Sequence, residues 1–146
     1  MILRTLFAAA ILSSCAAPMR SVTSDACDDI YFVALTDYIS HAPADARAKA
    51  FRITINDNDP SGHDPSQRLF RRLRSQWPTI RTENAFEREF ASADQTWGWF
   101  AAELRRHDAR SAEVIAWCPY YEYRRYVLER AGDSWRIVSS EVYTPG

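Results

Sequence analysis

Apolar residues recur along this chain in two rhythms. Ile30, Tyr31, Val33, Ala34, Leu35, Tyr38 and Ile39 are spaced by three and four, which predicts an amphipathic helix over 27–40. Asp25, Asp28 and Asp29 suit its N-terminal turn, where the helix dipole favours negative charge. A buried strand over 30–35 is the competing reading of the same run. Phe51-Arg52-Ile53-Thr54-Ile55 alternates apolar and polar and predicts a strand with one buried face. Asn56 to Gly62 is a dense turn signal. Asp64-Pro65-Ser66-Gln67 reads as a helix start, with Asp64 as cap, a first-turn proline and a glutamine at the reciprocal position. Leu69, Leu73 and Trp77 continue that helix at i, i+4 and i+8 until Pro78.

From Trp97 the rhythm changes. Residues 97–104, 111–118, 120–130 and 134–143 are aromatic and β-branched, which predicts an antiparallel meander. Residues 41–49, Ala-rich with Pro43, read as a loop or a frayed turn. The order of elements predicts an α+β domain: one or two N-terminal helices packed on a curved antiparallel sheet of four to five strands. The length of 146 residues, with 47% apolar and 25% charged residues, fits one folded domain and excludes wholesale disorder. A net charge of −1 excludes a dedicated nucleic-acid binder, which needs a basic excess to displace counterions.

The first residues are not part of that domain. Arg4, the apolar run Leu6 to Leu12 and the small residues Ser13, Ser14, Ala16 and Ala17 form a secretory leader. The run is too short to span a bilayer, which takes about 20 apolar residues. Leu12-Ser13-Ser14-Cys15 resembles a bacterial lipobox. The resemblance implies cleavage before Cys15, a diacylglycerol thioether on its sulfur and an acylated amino group. Two or three acyl chains make a stable anchor where one is marginal. Ala16 lacks the aspartate of an inner-membrane retention signal, so the resemblance implies an outer-membrane protein facing the periplasm. Ordinary cleavage after Ala16 or Ala17, giving a soluble periplasmic protein, is the alternative. The expected organisation is a signal peptide over 1–14, a tether over 15–26 and a single domain over 27–146. The leader carries one charge, Arg4, so the mature chain is left at −2.

With Cys15 acylated, Cys27 and Cys118 remain in an oxidising compartment. A bridge between them would close a loop of about 90 residues, worth roughly 4–5 kcal/mol in the chain-entropy model. Two separate thiols are the alternative. Neither a CxxC pair nor a metal-type Cys/His spacing is present.

The helix–strand–helix–meander order resembles cystatin-like and nuclear-transport-factor-2-like cones. Ile55-Asn56-Asp57-Asn58-Asp59-Pro60-Ser61, then Leu69 through Arg81, then Gly132-Asp133-Ser134-Trp135 are similar to a family of small secreted bacterial proteins. Gly62-His63-Asp64 looks like an insertion in that pattern. No activity is assigned to the family, so the resemblance implies a shape and no mechanism.

Candidate chemistry is sparse. Asp57, Asp59 and Ser61 with Gly62 mimic a calcium loop, but its closing position is Arg68 rather than a bidentate glutamate, so no metal is expected. His63 beside Asp57, Asp59 and Asp64 suggests an acid–base pair, but it sits in a turn with His41 and His107 elsewhere. Glu113, Glu122 and Glu141, with Asp133, are candidate paired carboxylates for a hydrolase. No nucleophile elbow, zinc helix or phosphate-cradling glycine loop occurs, and no catalytic residue and no cofactor are assigned. Strand alternation places Tyr121, Tyr123 and Arg125 on one face, a candidate surface for a protein or small-molecule partner. Arg71, Arg72 and Arg74 read as the solvated side of their helix. A lipid-anchored binding protein is the leading expectation, and a small hydrolase or isomerase the alternative.

Overall fold

The computed structural model describes residues 25–57, 61–90, 98–119 and 121–146; the leader, the lipobox and nearly all of the expected tether lie outside them. Four helices, α1 (Asp25–His41), α2 (Ala44–Ala48), α3 (Gln67–Gln76) and α4 (Glu83–Phe90), accompany six strands. The strands are β1 (Phe51–Ile55), β2 (Ile80–Arg81), β3 (Trp99–His107), β4 (Ser111–Trp117), β5 (Tyr123–Ala131) and β6 (Ser134–Val142). They form one open sheet in the order β2-β1-β3-β4-β5-β6. The domain is α+β as expected, with one strand more than the four to five anticipated. The extra strand is the two-residue β2.

The meander β3 to β6 is antiparallel throughout. β1 instead runs parallel to both neighbours, pairing Phe51 with Ile80 and Arg52 through Ile55 with Trp99 through Ala102. Parallel neighbours need long connections, and the segment from 56 to 98, with α3 and α4, supplies them. The β5–β6 hairpin turns on Gly132 at φ 62°, with room around its α-carbon, so the residue is there for its backbone freedom. Gly62, at φ 67°, is there for space as well: a β-carbon would sit 2.1 Å from the Thr54 methyl where the loop crosses β1.

α1 lies across β3 to β6. Ile30, Tyr31, Ala34, Leu35, Tyr38 and Ile39 are all buried, against Phe100, Ala102, Val114, Ala116, Tyr126 and Leu128. Each large side chain in this layer contributes about 1.5–3 kcal/mol. Three tyrosines fasten the helix to the sheet. Tyr31 takes the Leu104 N–H at 3.0 Å and donates to Asp57; Tyr38 donates to the Glu122 carbonyl; Tyr126 donates to Asp37 at 3.0 Å. α3 packs beside α1 through Leu69 and Leu73. Its cap is Ser66, not Asp64: the Ser66 hydroxyl accepts from Leu69 N–H at 3.1 Å and donates to the buried Asp28 at 2.6 Å. Asp64 turns instead to the Glu83 N–H at the start of α4.

Of the two alternatives for Cys27 and Cys118, the bridge between them is not formed; Cys118 is a buried thiol. Cys27 sits in the first turn of α1, whereas Cys118 lies beside the Tyr38 hydroxyl near its other end. Eleven helical residues separate those levels by roughly 16 Å, and a disulfide needs α-carbons within about 7 Å.

Candidate functional site

Alternation along the meander sends Phe100, Ala102, Ala112, Val114, Ala116, Tyr126 and Leu128 to α1. It sends Trp99, Ala101, Glu103, Ile115, Trp117, Tyr123, Arg125 and Glu141 to the opposite face. α4 packs against β1 and β2, and α1, on the other side, is the helix that packs along β4, β5 and β6. Among the described residues no helix packs on the second face of β4, β5 and β6, although Ala101 and Ile115 on that face are buried.

That face has order. Ala101, Trp117 and Tyr123 are neighbours across three strands. The Trp117 and Tyr123 rings stack with centroids 5.6 Å apart and 6° between planes. One strand over, Trp99 donates its indole N–H to Thr54 at 2.8 Å and lies under the Arg52 guanidinium at 5.3 Å. The next register row reads Glu103, Ile115, Arg125, Glu141. Arg125 pairs with Glu141 at 2.6 Å, and its Nε is buried with no acceptor. A buried donor without a partner is costly, so an acceptor at this N–H would lower the energy of the face.

Of the predicted trio Tyr121, Tyr123 and Arg125, the structure brings together the last two. Tyr121 precedes β5, in a turn where its N–H bonds the Cys118 carbonyl. Its ring packs against Tyr38, at 6.1 Å, on the α1 side. Alternation failed there because the strand starts three residues later than its composition suggests. Trp99 and Trp117, which the sequence placed only in the meander, take the vacated role.

A second constellation centres on Asp57, whose side chain is 4% exposed. Burial pushes its carboxyl above the ordinary range, against the opposing pull of Tyr31 and His63. Asp57 Oδ2 lies 3.8 Å from His63 Nε2, and neither atom has a hydrogen-bond partner. His63 Nδ1 lies 2.7 Å from the Asp64 carbonyl, so it carries a proton there. Both ring nitrogens thus face groups of the protein itself, one a carbonyl and one a carboxylate. A histidine held this way has both nitrogens turned to groups of the protein, so the candidate His63–Asp57 pair is an internal contact.

The glutamates do not converge. Glu113 pairs with Arg106 at 3.3 Å, Glu122 with Arg124 at 2.7 Å and Glu141 with Arg125. Residues 58–60 of the calcium-like stretch lie outside the described residues, and among the described ones no three His, Cys, Asp or Glu side chains could hold a metal. A shallow pocket of about 400 Å³ lies between the β3–β4 and β5–β6 turns, lined by Arg110, Ser111, Glu129 and Arg130. No protein-family model, curated protein or solved structure matches the chain significantly.

Proposed function

We propose that the protein is a lipid-anchored protein of the bacterial envelope, held through Cys15 at the periplasmic face of the outer membrane, that binds a protein partner without catalysing a reaction. What supports the binding reading is the row of Trp99, Trp117, Tyr123 and Arg125 on the sheet face away from α1, where among the described residues no helix packs on β4, β5 or β6. Trp, Tyr and Arg are the residues that dominate binding energy at protein interfaces, inside a rim of polar groups. Glu103, Glu113 and Glu141 form such a rim. Trp117 and Tyr123 each spend one ring face on the other, which favours an interlocking protein surface over a flat sugar or base. The anchor reading rests on Arg4, the apolar run and Leu12-Ser13-Ser14-Cys15.

The anchor is tested by metabolic labelling with a fatty acid and mass spectrometry of the Cys15 peptide. Acyl chains on Cys15 that vanish in Cys15→Ser support it. An unlabelled chain, or Cys15 recovered in a disulfide with Cys27, overturns it. The binding face is tested by a photo-crosslinking residue at position 123 in cells, with position 88 on α4 as control. A discrete adduct from 123, lost in Trp117→Ala and absent from 88, is expected. No adduct, or the same adducts from both sites, refutes the face.

A further inference from the structure

α3 is the most one-sided element of the chain. Gln67–Gln76 holds four arginines, Arg68, Arg71, Arg72 and Arg74, and no acidic residue. Leu69 and Leu73 fix the buried side. Arg68 and Arg72 flank it and share Asp29 of α1, at 3.1 and 2.5 Å. Arg72 also covers the Phe32 ring at 3.9 Å. Spacing by three and four puts Gln67, Arg71, Arg74 and Ser75 on the outward strip, and all four are exposed. Arg71 bonds only a carbonyl of its own helix, Gln67, at 3.3 Å. Among the described residues neither Arg71 nor Arg74 meets a carboxylate.

The position of this strip matters as much as its charge. Ser66 binds Asp28, and Arg68 and Arg72 bind Asp29, so α3 begins beside the first turn of α1. That turn is where the segment from Cys15 joins the domain. Ten residues reach at most about 35 Å when fully extended. An acyl group on Cys15 would therefore hold α3 close to the lipid surface, and Arg71 and Arg74 are the cations exposed beside that attachment. The geometry points to the outward strip of α3 as a docking surface for the phosphate headgroups of an anionic phospholipid membrane, setting the orientation of the anchored domain. The inference rests on the anchor reading above.

The test removes the anchor so that the two can fail separately. The mature chain, residues 15–146 with Cys15→Ser and its fold checked by circular dichroism, is mixed with vesicles of phosphatidylglycerol and phosphatidylcholine, or of phosphatidylcholine alone. A chain of net charge −2 should be repelled by the anionic vesicles unless a local cationic surface binds them. Binding to the anionic vesicles that weakens with salt is expected. Arg71→Gln with Arg74→Gln should weaken it by about 30-fold, and the double lysine variant should restore it. Equal partition onto both vesicle types, or an unchanged double glutamine variant, overturns the proposal. So does release by inorganic phosphate at matched ionic strength, which would mark a site for the free anion. Loss of fatty-acid labelling at Cys15 with vesicle binding intact would sink the anchor alone.

Discussion

Raising the pH should unfold this domain through three of its seven tyrosines. Tyr31, Tyr38 and Tyr126 lie under α1 with their hydroxyls bonded to Asp57, the Glu122 carbonyl and Asp37. Burial, first, pushes all three phenols well above the ordinary value of 10.0, and the Asp57 and Asp37 carboxylates add to it for Tyr31 and Tyr126. A phenol whose folded pKa is raised contributes stability that is fully present below its unfolded pKa and is lost as pH rises through the folded one. Above pH ~10 the unfolded chain releases three protons that the folded chain keeps. Each is worth about 1.4 kcal/mol per pH unit, so stability should fall by roughly 4 kcal/mol per unit. A domain of this size holds about 5–15 kcal/mol in total, so the fold should be lost within about one to four units above pH 10. Spectrophotometric titration alongside far-ultraviolet circular dichroism reads this directly. Three tyrosinates should appear in one cooperative step, coincident with loss of ellipticity, and Tyr126→Phe should reduce the step to two and make the fall less steep. All seven phenols titrating with the secondary structure intact would refute the reasoning.

Asp57→Asn should hold stability in urea near neutral pH or raise it by up to about 1 kcal/mol, because burial, the main cause of the raised carboxyl pKa, disfavours a charge at this site. The difference should shrink in acid, where the wild-type carboxyl takes up a proton; a loss above about 1 kcal/mol at neutral pH would mean that a His63–Asp57 ion pair holds the loop instead. Ser66→Ala should cost about 1–3 kcal/mol in chemical denaturation, since it removes the α3 cap and a bond to the buried Asp28 together. Gly132→Ala should lower stability by roughly 1 kcal/mol through backbone conformation, as nothing lies within 4 Å of the added methyl, and Gly132→Asn should cost less. Leu73→Ala should cost about 2–5 kcal/mol, read as a shift in the thermal midpoint.

The meander was legible in the sequence because its runs are aromatic and β-branched and its turns are marked by His107-Asp108-Ala109-Arg110 and Gly132-Asp133. Asp108 accepts the Arg110 and Ser111 N–H groups, and Gly132 takes its positive φ, as those residue types predict. α1 and α3 were legible from apolar spacing. The α3 cap was displaced by two residues because Asp64 and Ser66 are both competent caps, and the tie is settled by Asp28, which the chain brings in from 38 positions away. α2, α4 and β2 carry too few apolar residues for a period to show. The parallel pairing of β1 with β3 depends on a crossover path, which no local pattern encodes. The candidate face was half legible. Tyr123 and Arg125 followed from alternation, while Trp99 and Trp117 join them only through cross-strand register.

The distribution of partners along the chain has a consequence for how it must fold. α1 comes first in the polypeptide, yet it lies against β4, β5 and β6, which come last. While synthesis is under way, α3 and β3 can cover only part of its apolar side. The hairpins, whose contacts are local, can close as they emerge, whereas the opening helix must wait for the final strand. A chain arranged in this order stays open to handling until its C-terminus is delivered, and then locks in a single late step.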